Sequence, residues 1–157
     1  MRTTHINKLL SKYYPSYMGC VPCDHIPPAT KLPYSVVVNL DPCTEEGRHW
    51  TCIYIDENQF GFYFDSFGGL QDRKDFPGID HVIQAIEKNC KWWTYNPFQL
   101  QGIESTSCGH FCVVLLNLLL SGRSIVDYWS LFSDDHAYND YVVRALTSVY
   151  GYKRSTP

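Results

Sequence analysis

Gln101-Gly-Ile-Glu-Ser-Thr-Ser-Cys108-Gly109-His110-Phe111-Cys112 opens a nearly unbroken apolar run that continues to Leu120 and stops at Ser121-Gly122. A segment apolar on every side, closed by glycine, reads as a buried central helix. The polar loop before it puts Cys108 at the helix N-terminus, at a surface. A free thiol ionises near pH ~8.5, and a helix N-terminus or a neighbouring imidazolium brings that down to about 3.5–7.5. The Gln101 amide and the Cys108 N–H can together stabilise an oxyanion. Gly109, without a Cβ, is expected to let substrate approach the backbone closely. Cys112, one helical turn further in, reads as a core residue.

Working outward, Gly47-Arg48-His49-Trp50 opens an apolar stretch and Phe64-Asp65-Ser66-Phe67-Gly68 ends one. Tyr34 to Leu40, His49 to Ile55 and Phe60 to Asp65 are β-rich, and Asp56-Glu57-Asn58-Gln59 joins the last two as a tight connection. In such an antiparallel hairpin His49 and Asp65 fall close together, so the carboxylate can orient the imidazole. Helical spacing marks His5 to Tyr13, with Pro15 as a stop, and the segment around Ile79, Val82, Ile83 and Ile86. The prolines at 15, 22, 27, 28 and 33 predict an irregular surface segment, expected to form one wall of a groove. Cys90 to Leu100 is strand-like, and Ile125 to Phe132 and Asp135 to Tyr150 are helical, before a basic tail at Lys153-Arg154. The expected class is α+β: a small mixed or antiparallel sheet packed by helices, in one domain over 1–157.

A 157-residue chain with 45% hydrophobic and 18% charged residues is globular and large enough to bury its own core. Its net charge of -3 supplies no basic field for nucleic acid. The apolar run to Leu120 falls short of the roughly 20 residues of a membrane span. No signal-peptide pattern opens the chain, so a soluble, non-secreted protein is expected. Seven cysteines, an odd number, suit reduced thiols in a cell interior better than a disulfide framework.

Taken together, Gly47-Arg48-His49-Trp50, Asp65-Ser66-Phe67-Gly68 and Gln101-x6-Cys108-Gly109-x-Phe111-Cys112 resemble the signature of the adenovirus protease (adenain) family, over about Tyr17 to Leu120. The resemblance implies a cysteine endopeptidase in which Cys108 attacks a peptide carbonyl, His49 is its base, Asp65 orients His49, and Gln101 with Cys108 forms the oxyanion hole. It implies a narrow groove for small residues, often glycine, walled in part by Trp50, with Gly109 beside it. It also implies viral capsid or core precursors as substrates, hence action in the virion and host cell interior, with no cofactor needed for the chemistry. Adenoviral enzymes are activated by DNA and by a viral peptide disulfide-linked to a cysteine eleven residues before the glutamine. Cys90 has that spacing; the acidic net charge argues against dependence on DNA. A monomer is expected. Two departures stand out: adenoviral enzymes carry glutamate where this chain has Asp65, and they are longer and more basic at the C-terminal end. Aspartate is usual in the related SUMO-specific proteases, whereas the Gln101-to-Cys108 step and Phe111-Cys112 resemble the viral branch.

Two other functions compete. A deubiquitinating or deSUMOylating isopeptidase would use the same four residues on a folded substrate. A zinc-binding interaction module would use Cys20-Val-Pro-Cys23-Asp-His25 with Cys43, but no second ligand pair completes the site, so a metal-free protein is expected.

Overall fold

Val36, Val37 and Val38 are all fully buried, so both faces of their strand are covered. Successive strand side chains point to opposite faces, and two separate cores result. Val37, Cys52 and Phe64 align across three strands and face one core, while Val36, Ile53 and Tyr63 align beside them and face the other. The structure, a computed structural model, describes residues 1–153. Arg154 of the basic tail lies outside the described residues.

The chain runs α1 (Thr3–Leu10), β1 (Tyr17–Pro22), a 3-10 turn (Cys23–His25), β2 (Tyr34–Asn39), β3 (Trp50–Ile55) and β4 (Phe60–Phe64). It continues through α2 (Ile79–Asn89), β5 (Trp92–Tyr95), α3 (Cys108–Leu120), α4 (Ile125–Trp129) and α5 (His136–Lys153). The five strands form one mixed sheet in the order β1-β2-β3-β4-β5. The central pairs are antiparallel, and the two outer pairs, β1 with β2 and β4 with β5, are parallel. An α+β fold with a helix-packed mixed sheet is therefore present as expected.

The irregular reading of 15–33 needs correction. Tyr17–Pro22 is an edge strand, bulged between Tyr17 and Cys20, and Gly19 at a φ of +106° breaks the alternation that would have revealed it.

Helix α3 crosses one face of the sheet, with Phe111, Cys112, Val113, Val114, Leu115 and Leu116 all fully buried. Burying each of the larger side chains stabilises the fold by about 1.5–3 kcal/mol. Helix α1 supplies Ile6, Leu9 and Leu10 to the same core, and α2 covers the opposite face through Ile79, Val82 and Ile86. No helix among the described residues is long and apolar enough to cross a membrane.

Candidate active site

Residue His49 immediately precedes β3 and Asp65 immediately follows β4, so the antiparallel pairing brings both to the same end of the hairpin. His49 Nε2 lies 2.8 Å from Asp65 Oδ1. Both side chains are almost completely shielded from solvent, the Asp65 carboxylate entirely. Burying a carboxylate demands partners. Asp65 has them: Oδ1 also accepts the Phe67 N–H at 2.8 Å, and its main-chain N–H and carbonyl are both held by the Asn96 amide, at 3.0 and 2.6 Å. Gly68 makes the turn beyond it possible. Its φ is +79°, and a Cβ there would overlap the Phe98 backbone.

Cys108, the first residue of α3, lines the same cavity as His49, and each shifts the titration of the other. With Nε2 directed at Asp65, Nδ1 is the ring nitrogen left for the thiol. Burial pulls the His49 pKa down, but hydrogen bonds and charge from Asp65 and Cys108 outweigh it and push the value up to about 9. Cys108 moves the other way. Burial pushes its thiol up, yet the His49 hydrogen bond and charge, helped by the Trp50 and Gly109 backbones, bring it below the ordinary value. The pair is thus set toward thiolate and imidazolium. Burial raises the thiols of Cys20, Cys23, Cys90 and Cys112, and the Asp24 side chain does so at Cys43.

The Gln101 side chain lines the same cavity of about 270 Å3 as His49 and Cys108, with Trp50, Phe67 and Phe76 among its walls. Its Nε2 donates to the Ser105 carbonyl at 2.7 Å and its Oε1 accepts from the Ser66 hydroxyl at 2.6 Å. An amide nitrogen carries two hydrogens, so one remains for a ligand. Phe67 and Phe76 flank the imidazole, with ring centroids 5.0 and 5.9 Å away. Arg48 stacks over Phe76 and pairs with the nearly buried Asp41 at 2.7 Å, fixing the loop that delivers His49.

Four of the residues named from sequence therefore converge: Cys108, His49 and Gln101 in one cavity, and Asp65 bonded behind His49. Trp50 lines this cavity, its indole N–H donating to the Met1 carbonyl at 3.0 Å.

Gly109 is placed differently from the expectation. It is buried beneath α1, where an added Cβ would lie 3.0 Å from the Met1 Cβ and 3.2 Å from Trp50 Cδ1, so its small size serves packing rather than a groove. Cys90 is elsewhere again. It is half-buried, donates to the Ile86 carbonyl at 3.0 Å, and lines a separate cavity with Ala29, Lys31 and Asn89.

Of the zinc-like text, only Asp24, His25 and Cys43 come together, with donor atoms within 4.8 Å, and all three are exposed. Structural zinc sites close with four ligands, and this group has three. Ser66 and Asn96, which hold Gln101 and Asp65, carry no distinctive signal in the sequence, although Ser66 sits inside Asp65-Ser66-Phe67-Gly68.

No protein-family model matches the chain, and no curated protein does either. Solved structures do. The ASFV pS273R protease superposes with a TM-score of 0.57 at 16% identity over 90% of this chain, which spans only 65% of that protein's length. The central domain of the uncharacterized Lpg1148 protein from Legionella pneumophila gives 0.54 at 11% identity, covering 97% of this chain and 98% of that one. The C-terminal Ulp1 protease domain, in complex with the yeast SUMO orthologue Smt3, gives 0.51 at 12% identity over 96% of this chain and 76% of that one. At these identities the likeness establishes a shared fold, to which the site geometry adds its own chemistry.

Proposed function

We propose that the chain is a cysteine peptidase. The observation that carries this reading is the convergence of Cys108, His49 and Gln101 on one cavity with Asp65 hydrogen-bonded behind the imidazole. Two neighbours in fold, the ASFV and Ulp1 proteins, are named proteases, which supports the same class.

In this reaction the Cys108 thiolate attacks a peptide carbonyl carbon, and the carbonyl π electrons move onto oxygen. The second Gln101 N–H and the Cys108 N–H stabilise that oxyanion; losing one such donor typically costs about 100- to 1,000-fold in rate. As the tetrahedral species collapses, the C–N bond breaks and the His49 imidazolium gives its proton to the leaving amine. A thioester remains on Cys108. Water, losing a proton to His49, attacks that thioester, releasing the carboxyl product and restoring thiolate and imidazolium. Asp65 keeps the ring oriented without making or breaking bonds.

For substrate we favour an endopeptidase acting on precursor structural proteins of a virus or virus-like element, at sites with glycine or other small residues. The aromatic side chains of Trp50, Phe67 and Phe76 share with Cys108 the lining of a cavity of about 270 Å3, which favours small residues there. An activating peptide would attach at Cys90, although burial raises that thiol's pKa and slows exchange. Incubation with the precursor proteins encoded beside this gene, followed by mass mapping of new termini, tests the proposal. Internal cuts beside small residues support it, and intact precursors contradict it.

The second reading, an isopeptidase on a ubiquitin-like protein, draws support from the likeness to Ulp1, which is bound to a SUMO orthologue. A ubiquitin-like protein bearing a C-terminal electrophile would then label Cys108.

A further inference from the structure

Ser66 is fully buried and follows Asp65 directly. It grips Gln101 twice over. Its carbonyl accepts the Gln101 N–H at 3.0 Å and the Leu100 N–H at 2.8 Å, and its hydroxyl donates to Gln101 Oε1 at 2.6 Å.

We propose that Ser66 is a positioning residue that holds the Gln101 amide with its nitrogen toward the oxyanion, coupling the oxyanion donor to the dipeptide that also orients His49. This rests on the cysteine-peptidase reading.

An amide has two near-isosteric orientations, and only one serves catalysis. Rotated by half a turn, Gln101 would present oxygen lone pairs to the developing negative charge and repel it. The Ser105 carbonyl can only accept, so it selects the orientation with Nε2 toward it. That contact leaves Oε1 facing Ser66 in a residue only 1% exposed, where an unpaired acceptor is costly. The Ser66 hydroxyl supplies the missing proton. Ser66 itself cannot drift, because the Asn96 amide brackets the main chain of Asp65 on both sides. Orientation of the base and of the oxyanion donor thus depends on two adjacent residues held by one buried asparagine.

The test compares wild-type protein with Ser66→Ala, Gln101→Ala and the double variant, using an N-acylglycine p-nitrophenyl ester as acyl donor. Nitrophenol release reports acylation, which needs the oxyanion hole; iodoacetamide alkylation of Cys108, mapped by mass, reports the thiolate, which does not. The expected result is acylation slowed about tenfold or more in Ser66→Ala, with Cys108 alkylation unchanged in rate and pH profile. In the Gln101→Ala background, Ser66→Ala should add less than about twofold. Wild-type acylation in Ser66→Ala, a matching loss in alkylation, or independent multiplying losses in the double variant would each overturn the proposal. Failure of the wild-type protein to release nitrophenol would instead overturn the peptidase reading beneath it.

Discussion

His49 Nε2 stands 2.8 Å from Asp65 Oδ1, and the carboxylate making this contact has no exposure to solvent. A fully buried ionised group is kept only where its partners compensate for desolvation, which ties the hairpin's geometry to the imidazole's protonation. Asp65→Asn leaves a group of similar size that cannot stabilise the imidazolium. Peptide or ester turnover should fall by as much as about 10⁴-fold without vanishing, as expected of an orienting acid. A wild-type kcat/KM in this variant would mean that another residue orients His49.

The paired shifts of His49 and Cys108 give a signed pH dependence. His49 is pushed up to about 9, so the proton destined for the leaving amine is lost as pH rises through that value. Cys108 is lowered by the same contact, so the acid limb appears where its thiolate becomes protonated. The pH profile of kcat/KM should therefore be bell-shaped, with its alkaline limb near 9. In His49→Ala, only the Trp50 and Gly109 backbones still oppose the effect of burial on Cys108, and the alkylation profile should move to higher pH. An unmoved profile would show that His49 does not set the thiol's ionisation.

Replacing Asn96 by alanine leaves the main-chain N–H and carbonyl of buried Asp65 without their side-chain partners. The N–H so orphaned costs about 1–3 kcal/mol, while the carbonyl still accepts the Gly68 N–H at 2.9 Å. Urea unfolding should show a lower midpoint, and turnover should fall because Asp65 loses its placement. An unchanged midpoint would mean that the backbone there finds other partners.

Gly109→Ala separates two roles for one residue. The added methyl meets Met1, Trp50 and Ile6 at 3.0 to 3.3 Å, so these must give by a few tenths of an ångström, and stability should fall by about 1 kcal/mol after the helix gain from alanine is offset. A rise in KM at unchanged thermal stability would instead restore the direct substrate contact expected from sequence.

What could be read in the sequence was what depends on local pattern. The apolar continuity of Cys108 to Leu120 and the period-two text on either side of Asp56-Glu57-Asn58-Gln59 mark α3 and the hairpin, and these deliver Cys108, His49 and Asp65. Strand β1 was hidden because its pairing with β2 is set by tertiary contact while Gly19 and Pro22 disrupt the local signal. Ser66 and Asn96 were hidden for a related reason. Their partners lie 35 and 31 residues away, and only the packed turns at 65–68 and 96–101 bring them together. Gly109 shows the converse: its neighbours come from α1 and β3, so the same missing Cβ that suggests an open groove serves a tight contact.

The most direct test of the account is to trap the acylated protein with the N-acylglycine p-nitrophenyl ester, quench it in acid and map the modified cysteine by mass. The account predicts one thioester at Cys108, absent in Cys108→Ala and greatly reduced in His49→Ala. Stable acylation at exposed Cys43 instead, or nitrophenol turnover persisting in Cys108→Ala, would contradict it.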